Sequence, residues 1–95
     1  MKAIVNGRII YKGEILSNKV LLFDDKIVSI EDSTEIGQEV ELIDAAGRYV
    51  SPGFIDIHIH GAFGHDAMDW DPETISSIST GLAQFGVTGF LPTTI

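Results

Sequence analysis

Cysteine is absent from this sequence of 95 residues. That excludes a disulfide framework, a thiolate zinc site and a cysteine nucleophile, and it suits a reducing compartment, so the chain is expected in the cytoplasm. Any metal site has to be built from His, Asp and Glu. Lys and Arg stop at Arg48: six basic residues stand against nine acidic ones up to that point, and the remainder has five acids with neither Lys nor Arg. With a net charge of −8, the chain offers no counterion release to nucleic acid and no polybasic attraction to an anionic membrane, and neither is expected as a partner. Long apolar runs are also missing. No stretch approaches the roughly 20 residues of a membrane span, and Met1 to Ile10 lacks the apolar core of a signal peptide. What is present, 44% hydrophobic and 21% charged residues, describes a folded domain. A chain this short buries only about 60 to 65% of its unfolded surface.

Residues 2 to 50 read as short strands joined by turns. Ala3 to Val5 lead into Asn6-Gly7, a dipeptide suited to a tight hairpin, and Arg8 to Tyr11 return from it. Val20 to Phe23 and Lys26 to Ile30 flank Asp24-Asp25 as a second hairpin, so this half is expected to be antiparallel β. Asp32 to Glu41 is polar and reads as a loop around Gly37; Val40, Leu42 and Ile43 suggest another strand, with a brief recovery at Arg48-Tyr49-Val50. Ser51-Pro52-Gly53 breaks pairing and marks a boundary.

Behind it, Phe54 to His60 alternates strictly. Ile55, Ile57 and Ile59 share one face of a strand, and Asp56, His58 and His60 share the other. A Gly-rich loop follows, then a helix start: Asp71 as cap, Pro72 at the first helical position, Glu73 in the first turn. Ile75, Ile78, Leu82 and Phe85 form its apolar stripe, Gly86 its stop, and Val87 to Leu91 a buried strand closed by Pro92-Thr93-Thr94. Strand, loop, helix and strand make one βαβ unit.

Residues two apart on a strand project about 6.5 to 7 Å apart on one face, so the imidazoles of His58 and His60 can lean onto one ion. Asp56, one step deeper, is placed to orient an imidazole by accepting its second N–H. A lone His-x-His is a weak pattern, and a hydrogen-bonded polar face is the equal alternative. Position favours the ion, because both histidines fall at the carboxyl end of a strand opening a βαβ unit, where parallel α/β folds gather their chemistry. Catalytic zinc takes three protein ligands. His65, Asp66 and Asp69 are candidates by composition, His65 reading equally as an exposed loop residue and Asp69 and Asp71 mainly as parts of the helix entrance. Ser76, Ser77 and Ser79 are assigned to the solvent face of the helix and lack a nucleophile elbow. No Gly-Lys-Ser/Thr follows Gly61 and Gly64 to make a phosphate loop. Trp70 reads as a packing anchor.

The run Asp44-Ala45-Ala46-Gly47-Arg48-Tyr49-Val50-Ser51-Pro52-Gly53-Phe54-Ile55-Asp56-Ile57-His58-Ile59-His60-Gly61 resembles the amidohydrolase superfamily, whose members enter the first barrel strand through D-A-x-G-x-x-V-x-P-G-[FLM]-I-D-x-H-x-H. His60 to Asp69, followed by Gly86 to Thr94, is similar to one branch, the N-acetylglucosamine-6-phosphate deacetylases. The resemblance covers essentially the whole chain.

That resemblance implies an α/β fold. Residues 1–50 would be the N-terminal part of a small β-sandwich, and residues 51–95 the first βαβ unit of a metal-dependent (β/α)8 barrel, incomplete here because a barrel takes roughly 250 residues. It implies hydrolysis of the acetamido group of N-acetylglucosamine 6-phosphate by the complete protein, a homo-oligomer. His58 and His60 would be metal ligands, Asp56 would stand behind them, and the catalytic carboxylate, remaining ligands and phosphate-binding cations would lie beyond Ile95. The cofactor would be a divalent metal, Zn or Fe, one or two per subunit; both histidines are kept where some deacetylases have lost them, which implies capacity for two. The alternatives are another cyclic amidohydrolase or deaminase, or an inactive truncated module.

Overall fold

The computed structural model describes residues 1–32, 36–37 and 39–95, which divide into two compact units, Met1–Pro52 and Gly53–Ile95. The structure is strand-rich mixed α/β. Part of the expected 32–41 loop lies outside the described residues. Among the described residues no helix is long and apolar enough to cross a membrane.

The first unit holds seven strands: β1 (Lys2–Val5), β2 (Arg8–Tyr11), β3 (Glu14–Leu16), β4 (Lys19–Phe23), β5 (Ile27–Asp32), β6 (Glu41–Asp44) and β7 (Tyr49–Val50). They form a four-stranded sheet in the order β5-β4-β1-β6 and a three-stranded sheet in the order β3-β2-β7. The expected hairpin at Asn6-Gly7 does not form, because β1 and β2 belong to different sheets. A two-residue hairpin of that kind needs positive φ at both central residues, and here only Asn6 has it, at 56°. The chain turns a corner instead. Lys12 (φ 48°) and Gly13 (φ 76°) do meet the requirement, and they join β2 to β3 with Tyr11 opposite Glu14. The β4–β5 hairpin around Asp24-Asp25 is as expected.

Pairing in this unit is mixed rather than purely antiparallel. β6 runs parallel to β1 in one sheet and β7 parallel to β2 in the other. The two chain segments therefore cross between sheets in step. Their corners are tied by Ala45 N–H to the Val5 carbonyl at 2.9 Å, Gly47 N–H to the Asn6 carbonyl at 2.7 Å and Arg8 N–H to the Arg48 carbonyl at 2.9 Å. Gly7 is required at the crossing, since a Cβ there would stand 2.6 Å from Val50 Cγ2. Ala3, Ile9, Val20 and Leu21 are buried. Adjacent Val20 and Leu21 point to opposite faces, so the middle of β4 is covered on both.

The second unit is β8 (Phe54–Ile59), a two-residue pair β9 (Gly61–Ala62) and β10 (His65–Asp66), α1 (Thr74–Ala83) and β11 (Val87–Pro92). β11 lies parallel to β8, so the expected βαβ unit is present. Gly86, at φ 82°, ends the helix as read from sequence. The helix starts later than expected. Asp71 caps a turn ahead of it, its carboxylate accepting the Glu73 amide at 2.9 Å and its carbonyl the Thr74 amide at 3.1 Å. The buried line on α1 is Thr74, Ile78 and Gly81, while Ile75 and Phe85 are exposed. Phe63, carried on the β9–β10 turn, lies against Gly81 and stacks with Phe85 at 6.2 Å. That approach makes the small residue, and not the largest apolar ones, the inward one. Ser77 is correspondingly half-buried rather than on the solvent face. Ile55 and Ile57 are also exposed, because the two-stranded sheet leaves their face uncovered.

Candidate metal centre

The alternation of β8 places Asp56 and His58 on one face, and His60 follows one residue past the strand's end. The imidazoles converge: His58 Nε2 and His60 Nε2 are 3.1 Å apart, with ring centroids at 4.9 Å and planes at 81°. On its far side the His60 ring is 3.0 Å, Nδ1 to O, from the Thr93 backbone carbonyl. A carbonyl can only accept, so Nδ1 carries the hydrogen, and in the neutral ring Nε2 then presents its lone pair. Two lone pairs cannot face each other at 3.1 Å without something positive between them. A hydrogen on His58 Nε2 or a cation would each meet that need.

A divalent cation fits the same gap. Two imidazole nitrogens at about 2.0 to 2.1 Å from a tetrahedral zinc stand about 3.3 Å apart, close to the observed separation. Both rings are exposed, so an ion can reach them. The residues present therefore fit as two ligands of one ion. Among the described residues no group of three or more potential ligands forms.

The remaining candidates sit elsewhere. Asp56, half-buried, uses its carboxylate to accept the His58 backbone amide at 3.1 Å; the acceptor behind His60 is Thr93. Asp66 accepts the Met68 amide and Asp69 the Asp66 amide, both at 2.9 Å, so the two carboxylates close the turn after β10. His65 is half-buried in β10, opposite Ala62. Trp70 is fully exposed and anchors nothing among the described residues. From sequence alone Thr93 is only part of a strand ending. Its signal is positional: it follows the second strand of the βαβ unit at the level where the first strand delivers His60.

In the first unit, a cleft of about 290 Å³ is lined by Asn6, Arg8, Asn18 and Lys19. Its cations are engaged, Arg8 with the Gly47 carbonyl and the Tyr49 hydroxyl and ring, Lys19 with Asp32.

Known proteins resemble this chain over the segment that carries these residues. A family model described as "Amidohydrolase family" matches residues 41–87, which include His58 and His60. The dihydroorotase of Staphylococcus aureus strain N315 is 40% identical over 60 residues, covering 63% of this chain and 14% of that protein. The N-acetylglucosamine-6-phosphate deacetylase of Bacillus subtilis strain 168 is 38% identical over 90 residues, covering 92% of this chain and 22% of that protein. The crystal structure of N-acetylglucosamine-6-phosphate deacetylase from Pasteurella multocida superposes with a TM-score of 0.89 at 29% identity, over 96% of this chain and 24% of that one. The chain thus spans less than a quarter of the length of each of these relatives.

Proposed function

We propose, from the premise that this chain belongs to the amidohydrolase superfamily, that it is the N-terminal segment of a metal-dependent deacetylase acting on N-acetylglucosamine 6-phosphate. One observation carries the choice of substrate. The likeness to a deacetylase extends over 92% of the chain, through the loop and helix behind the histidines, where the likeness to a dihydroorotase covers 63%. On this reading residues 1–50 contribute to a β-sandwich, and β8, α1 and β11 open a (β/α)8 barrel closed by the rest of a longer, homo-oligomeric cytoplasmic protein.

His58 and His60 would hold a zinc or iron ion, both metals being suited to imidazole. When bound, the ion supplies an activated water and polarises the amide carbonyl. The chain's own part is to aim two imidazole nitrogens at one point, with His60 held in the Nδ1–H form by Thr93 and with the His58 backbone fixed by Asp56. Residues 53–95 contain no Lys or Arg, so the substrate phosphate would be recognised from other parts of the protein.

Acetate release from N-acetylglucosamine 6-phosphate by the intact protein, with and without a chelator, is the test. Chelation is expected to abolish release, and removing the sugar phosphate to remove most of it. His58→Asn and His60→Asn should each lower bound metal and turnover at least about tenfold. Equal turnover of the unphosphorylated sugar would overturn the substrate assignment. The dihydroorotase likeness supports a second reading, hydrolysis of a cyclic amide, and turnover of dihydroorotate without acetate release would establish it.

A further inference from the structure

β8 ends at Ile59, so His60 lies just outside the ladder, where a strand end frays unless something holds it. Thr93 holds it with every polar group it has. Its amide donates to the Ile59 carbonyl at 2.8 Å, and its hydroxyl accepts the Ile59 amide at 3.2 Å. The same hydroxyl donates to the Leu91 carbonyl at 3.1 Å, and the Thr93 carbonyl accepts from His60 Nδ1 at 3.0 Å. One residue thus ties the end of β11 to the last residue of β8 and, through that tie, sets where its own carbonyl stands beside the imidazole.

The geometry points to Thr93 as a positioning residue for His60, one that fixes the imidazole's tautomer and ring direction so that Nε2 faces His58. The hydroxyl is the part that side-chain substitution can remove. Valine matches threonine in shape but neither accepts the Ile59 amide nor donates to Leu91, leaving a half-buried amide without its partner and the Thr93 carbonyl held in place only through its own amide's bond to Ile59. Serine keeps both bonds. A partner behind a ligating imidazole normally sets its tautomer and basicity, and losing one costs about 10- to 100-fold in metal affinity. Here the carbonyl itself remains, so the lower end of that range is expected.

The inference rests on His58 and His60 being metal ligands, and the experiment separates the two claims. Zn²⁺ affinity is measured on the intact protein by competition with a chromophoric chelator, and the visible spectrum of bound Co²⁺ is recorded, for the parent, His60→Asn, Thr93→Val and Thr93→Ser. His60→Asn should weaken binding most, Thr93→Val about tenfold with an altered cobalt spectrum, and Thr93→Ser should match the parent. Unchanged affinity in His60→Asn would remove the ligand assignment itself. Weakened His60→Asn beside an unchanged Thr93→Val would overturn the positioning role alone. Should Thr93→Val fail to fold, imidazole ¹⁵N shifts of the metal-free parent decide: a hydrogen on His60 Nδ1 is expected, and one on Nε2 overturns the inference.

Discussion

Two glycines of the second unit show how the atoms nearby decide what a methyl group does. A Cβ on Gly61 would run into the His65 carbonyl oxygen and stand 2.9 Å from Asp66 Cα, both backbone atoms of the paired strand. Backbone in a ladder cannot step aside, so Gly61→Ala should break the β9–β10 pairing and cost about 2 to 3 kcal/mol, in the range of overpacked sites. A Cβ on Gly81 would instead meet the ring of Phe63. That side chain is half in solvent and can swing away, while alanine gains about 1 kcal/mol over glycine inside a helix. The two effects nearly cancel, and Gly81→Ala should stay within about 1 kcal/mol of the parent. Denaturant midpoints of the two variants check the contrast; equal losses would mean that the β9–β10 backbone yields as easily as an exposed ring. Gly61 follows His60 directly, and Ala67 N–H bonds the His60 carbonyl at 2.7 Å, so Gly61→Ala should also loosen the histidine pair.

Beside their backbone bonds, the paired corners that carry β1 to β2 and β6 to β7 share one carboxylate. Asp44 Oδ1 accepts the Ala46 amide at 2.8 Å and Asn6 Nδ2 at 3.1 Å. The Ala46 amide, then the Asn6 side chain, hold its pKa below the ordinary aspartate range against a small desolvation effect, with Arg48 adding to the lowering. A depressed folded-state pKa gives stability that is present above the unfolded aspartate value and is lost as pH falls through the folded one. Stability should therefore decline on acidification below about pH 4, and Asp44→Asn should show a flatter acid limb, read from thermal unfolding across pH. Identical acid limbs would mean that other carboxylates carry the dependence. This corner also marks where reading from sequence ran out. Asn6-Gly7 has hairpin chemistry, but whether a chain reverses or changes sheet depends on the second residue's φ and on which strands wait at either side, and both are set by residues some forty positions away. The alternation of Phe54 to His60 and the Gly86 stop were legible because they rest on local periodicity and backbone freedom. The inward line of α1 was not, because Phe63 claimed the groove at Gly81. The histidine pair could be found by spacing alone, whereas the Thr93 carbonyl behind it depends on the parallel register of two strands more than thirty residues apart.

Taken as a whole, the chain leaves much apolar surface in water. Of the five buried hydrophobic residues among those described only Ile78 belongs to Gly53–Ile95, whereas Phe54, Ile55, Ile57, Phe85 and Leu91 are more than half exposed. β8 and β11 pair only with each other among the described strands, so each presents an unpaired edge beside those side chains. Edges of that kind recruit other strands, and contiguous apolar surface recruits other apolar surface. The 95-residue chain taken alone is therefore expected to self-associate at micromolar concentration and to show no acetate release, as an inactive module of a larger enzyme would. Ile57 is the most direct probe: it is 73% exposed and sits on the strand face opposite His58, so a charge there opposes association without touching the histidines. Sedimentation velocity across a range of concentrations should show Ile57→Lys shifted towards monomer relative to the parent chain, since a lysine on an exposed strand is the usual guard against edge pairing. A parent chain that stays monomeric and unfolds in a single cooperative step would instead show that its modest core suffices, and that the exposed isoleucines are tolerated as ordinary surface.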